Sequence, residues 1–118
     1  MKIRYTQIFN NSTTLQKVFT IQEIEDGKVL SWLNTNIEEN QNKNYNLYRD
    51  RFSTITDKLG EDIFENDVFE DEGYCAFNDG RFYKVWETKD EDGFNHWEDL
   101  YSDSYDFVVG NIYKKENE

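Results

Sequence analysis

Cysteine and histidine each occur once in this sequence of 118 residues, as Cys75 and His96. A single cysteine cannot close an internal disulfide, and one cysteine with one histidine falls short of the four ligands of a structural zinc cage. That usage is compatible with a reducing compartment. Proline is absent and asparagine abundant; AT-rich coding accounts for both as readily as structure does, so neither is read functionally. No run approaches the roughly 18 uncharged apolar residues of a membrane span. The opening Met1-Lys2-Ile3-Arg4-Tyr5 lacks the apolar stretch of a signal peptide. The expectation is a soluble cytoplasmic protein without membrane contact. Gly-rich phosphate loops, paired metal-binding histidines and nucleophile elbows are missing as well.

Apolar residues, glycine included, make up about a third of the chain against roughly 45–50% on average, so the core must be thin. Twenty aromatic side chains offset part of that shortage, because each buries a large area. Alanine and methionine occur once each, whereas Val, Ile, Thr and aromatics dominate, a composition that suits pleated surfaces better than helices. The length fits one compact domain. The expected fold is mainly β, with a minor α component: a small antiparallel sheet or an SH3-like, partly open barrel, built from hairpins and one short helix.

Acidic residues outnumber basic ones by 25 to 13, giving a net charge of −12. The excess is uneven. Residues 1–56 hold seven basic and six acidic side chains, whereas residues 57–106 hold four basic and seventeen acidic ones. A surface this negative repels phosphate backbones and attracts basic proteins, so direct nucleic-acid binding is not expected.

Along the chain, Met1–Phe9 alternates Ile3, Tyr5 and Phe9 against Arg4 and Thr6, the mark of a half-buried strand. Leu15–Ile24 and Lys28–Leu33 read as two further strands joined by Glu25-Asp26-Gly27. Residues 1–33 are thus expected as N-terminal strands. Residues 34–46, rich in Asn, read as a loop, and residues 47–118 as a β domain, all within one compact domain. Asn46–Ile55 fits a short helix or an irregular strand. The firmest local signal is Tyr74–Phe77, Asn78-Asp79-Gly80 and Arg81–Glu87, a hairpin turning at Asp-Gly. In its second arm Phe82, Lys84 and Trp86 share one face, and Arg81, Tyr83, Val85 and Glu87 the other. Phe94–Tyr105 carries a weak helical period, and Asp106–Tyr113 reads as a closing strand.

Thr56-Asp57-Lys58-Leu59-Gly60-Glu61-Asp62-Ile63-Phe64-Glu65-Asn66-Asp67-Val68 resembles a segment of the YopX-type phage protein family. Phe77–Trp86 is similar to that family's next hairpin, Val108-Val109-Gly110-Asn111-Ile112-Tyr113 to its terminal signature, and Ile3-Arg4-Tyr5 to its opening strand. Asn66 stands where the family often has Gly, and residues 10–50 show no convincing similarity. The resemblance implies a small, mainly β protein encoded by a phage or prophage, and it brings no catalytic motif with it.

Placing Gly93 at the sixth position of a calcium loop puts Asp90, Asp92 and Asp99 at positions three, five and twelve, but Thr88 then occupies the first position and no helix precedes. A solvated acidic turn accounts better for these residues, and no cofactor or metal is expected. Cys75 with His96 has no spacing that suggests a nucleophile and its base; Cys75 reads as a small core residue. Paired carboxylates are too common here for any one pair to be informative. A non-catalytic protein is expected. The remaining feature is an acidic and aromatic surface, with Glu70, Asp71, Glu72, Tyr74, Tyr83, Trp86, Asp90, Glu91, Asp92, Trp97, Glu98 and Asp99 as the candidate partner-binding residues. On that reading the carboxylates stand in for nucleic-acid phosphates and inhibit a basic host protein that handles nucleic acid or serves in defence. The alternatives are a structural or accessory phage protein whose charge serves only solubility, and a small enzyme.

Overall fold

A computed structural model describes residues 1–89, 95–100 and 107–113 of the chain. It divides the chain into two units, Met1–Arg51 and Phe52–Glu118. The described residues are mainly β, with nine strands in two antiparallel sheets, two helices and no closed barrel.

In the first unit, strand β1 (Lys2–Phe9) runs between β2 (Thr14–Thr20) and the first part of β3 (Tyr45–Thr56). Tyr5 faces Lys17 on one side and Arg49 on the other, and Gln7 faces Leu15 and Leu47. Cross-strand partners share a face, so Ile3, Tyr5, Gln7 and Phe9 lie together, as their alternation in the sequence implies. Helix α2 (Lys28–Asn40) packs on this face: Trp32 meets Phe19 at 5.7 Å between ring centroids, and Asn36 Nδ2 donates to Gln7 Oε1 at 2.8 Å. The opposite face holds a buried ion pair, Arg4 to Asp50 at 3.0 Å. A pair of this kind fixes register more than it adds stability, because desolvating both charges offsets their attraction.

Three expectations for this unit are corrected. Strand β2 stops at Thr20 rather than continuing to Ile24, because Thr20 caps helix α1 (Ile21–Glu25): its hydroxyl accepts from the Glu23 N–H while the Glu23 carboxylate accepts from the Thr20 N–H. That backbone hydrogen bond, with the Thr20 hydroxyl and nearby Lys17 and Lys28, holds the Glu23 carboxyl below its ordinary range. Residues 28–33 form the start of α2 instead of a strand, and Gly27, at φ 77°, joins two helices rather than closing a hairpin. The Asn-rich stretch is helical through Asn40, and β3 begins at Tyr45, within the segment expected as a loop.

In the second unit, the Phe52–Thr56 part of β3 pairs with β4 (Asp62–Phe64) around a bulge where Thr54 has φ 68°. Strands β5 (Asp67–Phe69), β6 (Tyr74–Asn78), β7 (Arg81–Lys89), β8 (Asn95–Asp99) and β9 (Val108–Asn111) form a sheet in the order β8-β7-β6-β5-β9. The expected β6–β7 hairpin forms and turns at Asp79 (φ 49°) and Gly80 (φ 79°), the left-handed pair that a tight hairpin requires; its register sets Phe77 opposite Phe82 and Asn78 opposite Arg81, so Asn78 belongs to the strand rather than to the turn. Ile63, Phe69, Cys75 and Leu100 form the buried core, joined by Ile55, Phe82 and Val108. The helical period read over Phe94–Tyr105 gives way to strand β8, because Trp97 and Asp99 pair across to Val85 and Tyr83; residues 101–106 lie outside the described residues.

Two acids of the charge-rich half are structural. Asp57 is buried and accepts three backbone N–H groups, from Leu59 and Glu61 on Oδ1 and from Val108 on Oδ2. It thereby ties the Asp57–Gly60 turn to the first residue of β9. Asp67 is also buried and accepts the Phe64 N–H at 2.7 Å, closing the turn in which Asn66 adopts φ 68°. Asp57→Asn turns one accepting oxygen into a donor that faces a backbone N–H, and should lower stability by about 2 kcal/mol. The urea midpoint reads this at unchanged slope. The exposed neighbour variant Glu61→Gln should stay within about 0.5 kcal/mol of the parent. Equal midpoints for the two variants would contradict the assignment.

Candidate protein interface

Strand β7 distributes the candidate residues between two faces, since successive side chains point to opposite sides. Cross-strand register extends its alternation to β6 and β8. Tyr74, Val85 and Trp97 form one row, and Ala76, Tyr83 and Asp99 the next, on a single face. Cys75, Lys84 and Glu98 form a row on the other face, together with Phe82, Trp86 and His96. The core occupies this second face, through Cys75, Phe82 and Leu100.

Tyr83 and Trp97 meet edge to face on the first face, with centroids 5.5 Å apart and planes at 76°. Trp97 is 45% exposed and Asp99 is exposed, whereas Val85, between Tyr74 and Trp97 in its row, is fully buried. Arg81 stands on the same face, opposite Asn78. This arrangement brings together four of the twelve candidate residues, namely Tyr74, Tyr83, Trp97 and Asp99.

The other described candidates are separated from these four. Trp86 lies on the core-side face, where the Lys84 ammonium sits 4.8 Å from its ring centroid and the His96 ring lies 5.2 Å away, tilted by 44°. Glu98 is on that face too, 3.2 Å from His96 Nε2. Glu70, Asp71 and Glu72 are exposed in the link between β5 and β6. Asp71 is engaged there, accepting from Lys84 Nζ. Asp90, Glu91 and Asp92 lie outside the described residues, and with them the middle of the calcium loop weighed from the sequence. The later half's acids are therefore not spread over one sheet face: Asp57 and Asp67 are buried, Asp71 is paired, and Asp99 and Glu98 point to opposite sides.

Sequence reasoning missed the importance of Lys84. Its side chain is 7% exposed, its ammonium lies 5.1 Å from the Phe69 ring centroid as well as near Trp86, and its carboxylate partner Asp71 is 36% exposed. Gly73 makes room for it: a Cβ there would lie 2.9 Å from Lys84 Cε. The available signal was a lysine between two aromatics, Phe82 and Trp86, on one face of a strand legible in the sequence. Comparison with protein-family models, curated proteins and solved structures finds no match for this chain.

Removing the two partners should have unequal effects. Asp71→Asn takes the counter-charge from a buried ammonium and should lower stability by about 2 kcal/mol. Lys84→Met keeps the length of the stem and leaves a carboxylate that reaches water, so its cost should stay below about 1 kcal/mol. Thermal or urea denaturation of both variants checks the order, and a larger loss for Lys84→Met would contradict this account of the pair.

Proposed function

We propose that this protein is a non-catalytic interaction protein of the YopX-type phage family that binds a basic host protein and blocks its access to nucleic acid. The observation that carries this reading is Trp97, 45% exposed on the outer face of the β7–β8 pair, next to Tyr83 and in the row beside Asp99, in a chain of net charge −12. A large aromatic side chain open to water, with a carboxylate beside it, has the composition of an interface anchor with a polar rim. The acidic excess would speed encounter with a cationic partner and repel duplex DNA itself.

The family assignment draws support from the turn at Asn66. Its φ of 68° is a conformation that glycine adopts freely and asparagine tolerates, so Asn in place of the family's usual Gly is compatible with the same turn. The site of action on this reading is the host cytoplasm, and no cofactor takes part.

Charge reversal at Asp90, Glu91 and Asp92 should slow association with the captured host protein while leaving the folding midpoint nearly unchanged, because steering acts on the encounter rate. The partner is first recovered from host lysate at low salt, identified, and challenged with duplex DNA. DNA should compete with the acidic protein for it. Recovery of no basic protein, or a basic partner that binds DNA and this protein simultaneously, would contradict the proposal.

A further inference from the structure

The two faces of the β6–β7–β8 ladder carry related chemistry. On the core side the fold builds a cation site from its own residues: the Lys84 ammonium lies 5.1 Å from the Phe69 ring centroid and 4.8 Å from that of Trp86, and it donates to the Asp71 carboxylate. On the outer side Tyr83 and Trp97 form an edge-to-face pair at 5.5 Å, and Asp99 is the cross-strand neighbour of Tyr83. Aromatic rings and a carboxylate are thus juxtaposed on both sides; on the outer side Trp97 is 45% exposed and Asp99 exposed, Tyr83 is half-buried and Val85 buried, and Arg81 stands exposed two residues before Tyr83 on the same face.

We infer that the outer Tyr83–Trp97–Asp99 cluster receives an arginine side chain of a basic protein segment. Resting on the interaction reading above, this assignment specifies the chemistry by which the partner is recognised. A guanidinium is planar and weakly hydrated, so it stacks on an indole or phenol ring while its fork of N–H donors engages a carboxylate; an ammonium offers the charge without the plane. The chain's net charge of −12 complements a cationic segment and disfavours an anionic or neutral one. The ring pair decides between the two cations, because charge alone attracts lysine and arginine alike. Short-range stacking supplies the preference, and the carboxylate the anchoring charge.

Calorimetric titration of the full chain with oligoarginine and oligolysine of equal length, at low salt, tests this directly. Oligoarginine should bind about fivefold tighter than oligolysine. Trp97→Ala should abolish that preference, Trp97→Phe should keep much of it, and Asp99→Asn should weaken both peptides. Glu25→Gln, on α1 in the other unit, should change neither. Equal affinities for the two peptides, or an arginine preference that survives Trp97→Ala in a folded variant, would overturn the assignment and leave the broader interaction reading standing. Failure of both peptides to bind would overturn the assignment and the interaction reading together.

Discussion

The period-two alternation of strand β7 is the constraint on which the rest of the second unit depends. It sends Phe82, Lys84 and Trp86 to the side that holds the core and Tyr83 and Val85 to the other, and the register with β6 and β8 extends that division across three strands. A shift of one residue would exchange the faces, bringing Tyr83 inward and exposing the Lys84 stem. Asp79 and Gly80 set the register at the turn by taking up the left-handed conformations of a tight hairpin. Lys84 reinforces it, because a buried ammonium must keep its carboxylate, and Asp71 meets it from the link between β5 and β6.

Charge has two different uses in this chain. Asp57 and Asp67 spend theirs inside, where each accepts backbone donors that the short strands β4, β5 and β9 and their turns would otherwise leave unsatisfied. With a thin apolar core, such carboxylate-capped turns supply order that hydrophobic area alone does not. Glu70, Glu72 and Asp99 remain at the surface. The net charge of −12 therefore overstates the anionic surface.

The sequence was most informative where turn chemistry and alternation agree. The Asn-Asp-Gly turn with aromatic and β-branched arms allowed the β6–β7 hairpin and its two faces to be read correctly, and the first strand followed in the same way. The helix from Lys28 to Asn40 was obscured because its first six residues fit a short strand and the asparagines after them fit a loop. In the fold, Val29, Leu33, Asn36 and Ile37 recur at helical spacing, and buried Asn36 takes a position where an apolar residue is usual, bonding to Gln7. A usable signal was overlooked at Thr20-Ile21-Gln22-Glu23, whose Thr and Glu form a capping box. Burial of Asp57 and Asp67 was not legible, since it depends on partners in the folded chain, including Val108, far along the sequence. For the candidate interface, residue types grouped Trp86 and Glu98 with Tyr83 and Asp99, although the alternation of the second hairpin arm already set Trp86 and Tyr83 on opposite faces; the register with β8 adds that Glu98 goes with Trp86 and Asp99 with Tyr83.

Backbone amide and indole chemical shifts followed through a titration with oligoarginine show whether cationic partners meet the Tyr83–Trp97 face of β6, β7 and β8. Perturbations should concentrate on Tyr74, Tyr83, Trp97 and Asp99, with the Trp97 indole N–H moving far more than that of Trp86. Shifts centred on Glu70–Glu72, or spread evenly over the exposed carboxylates, would contradict this assignment.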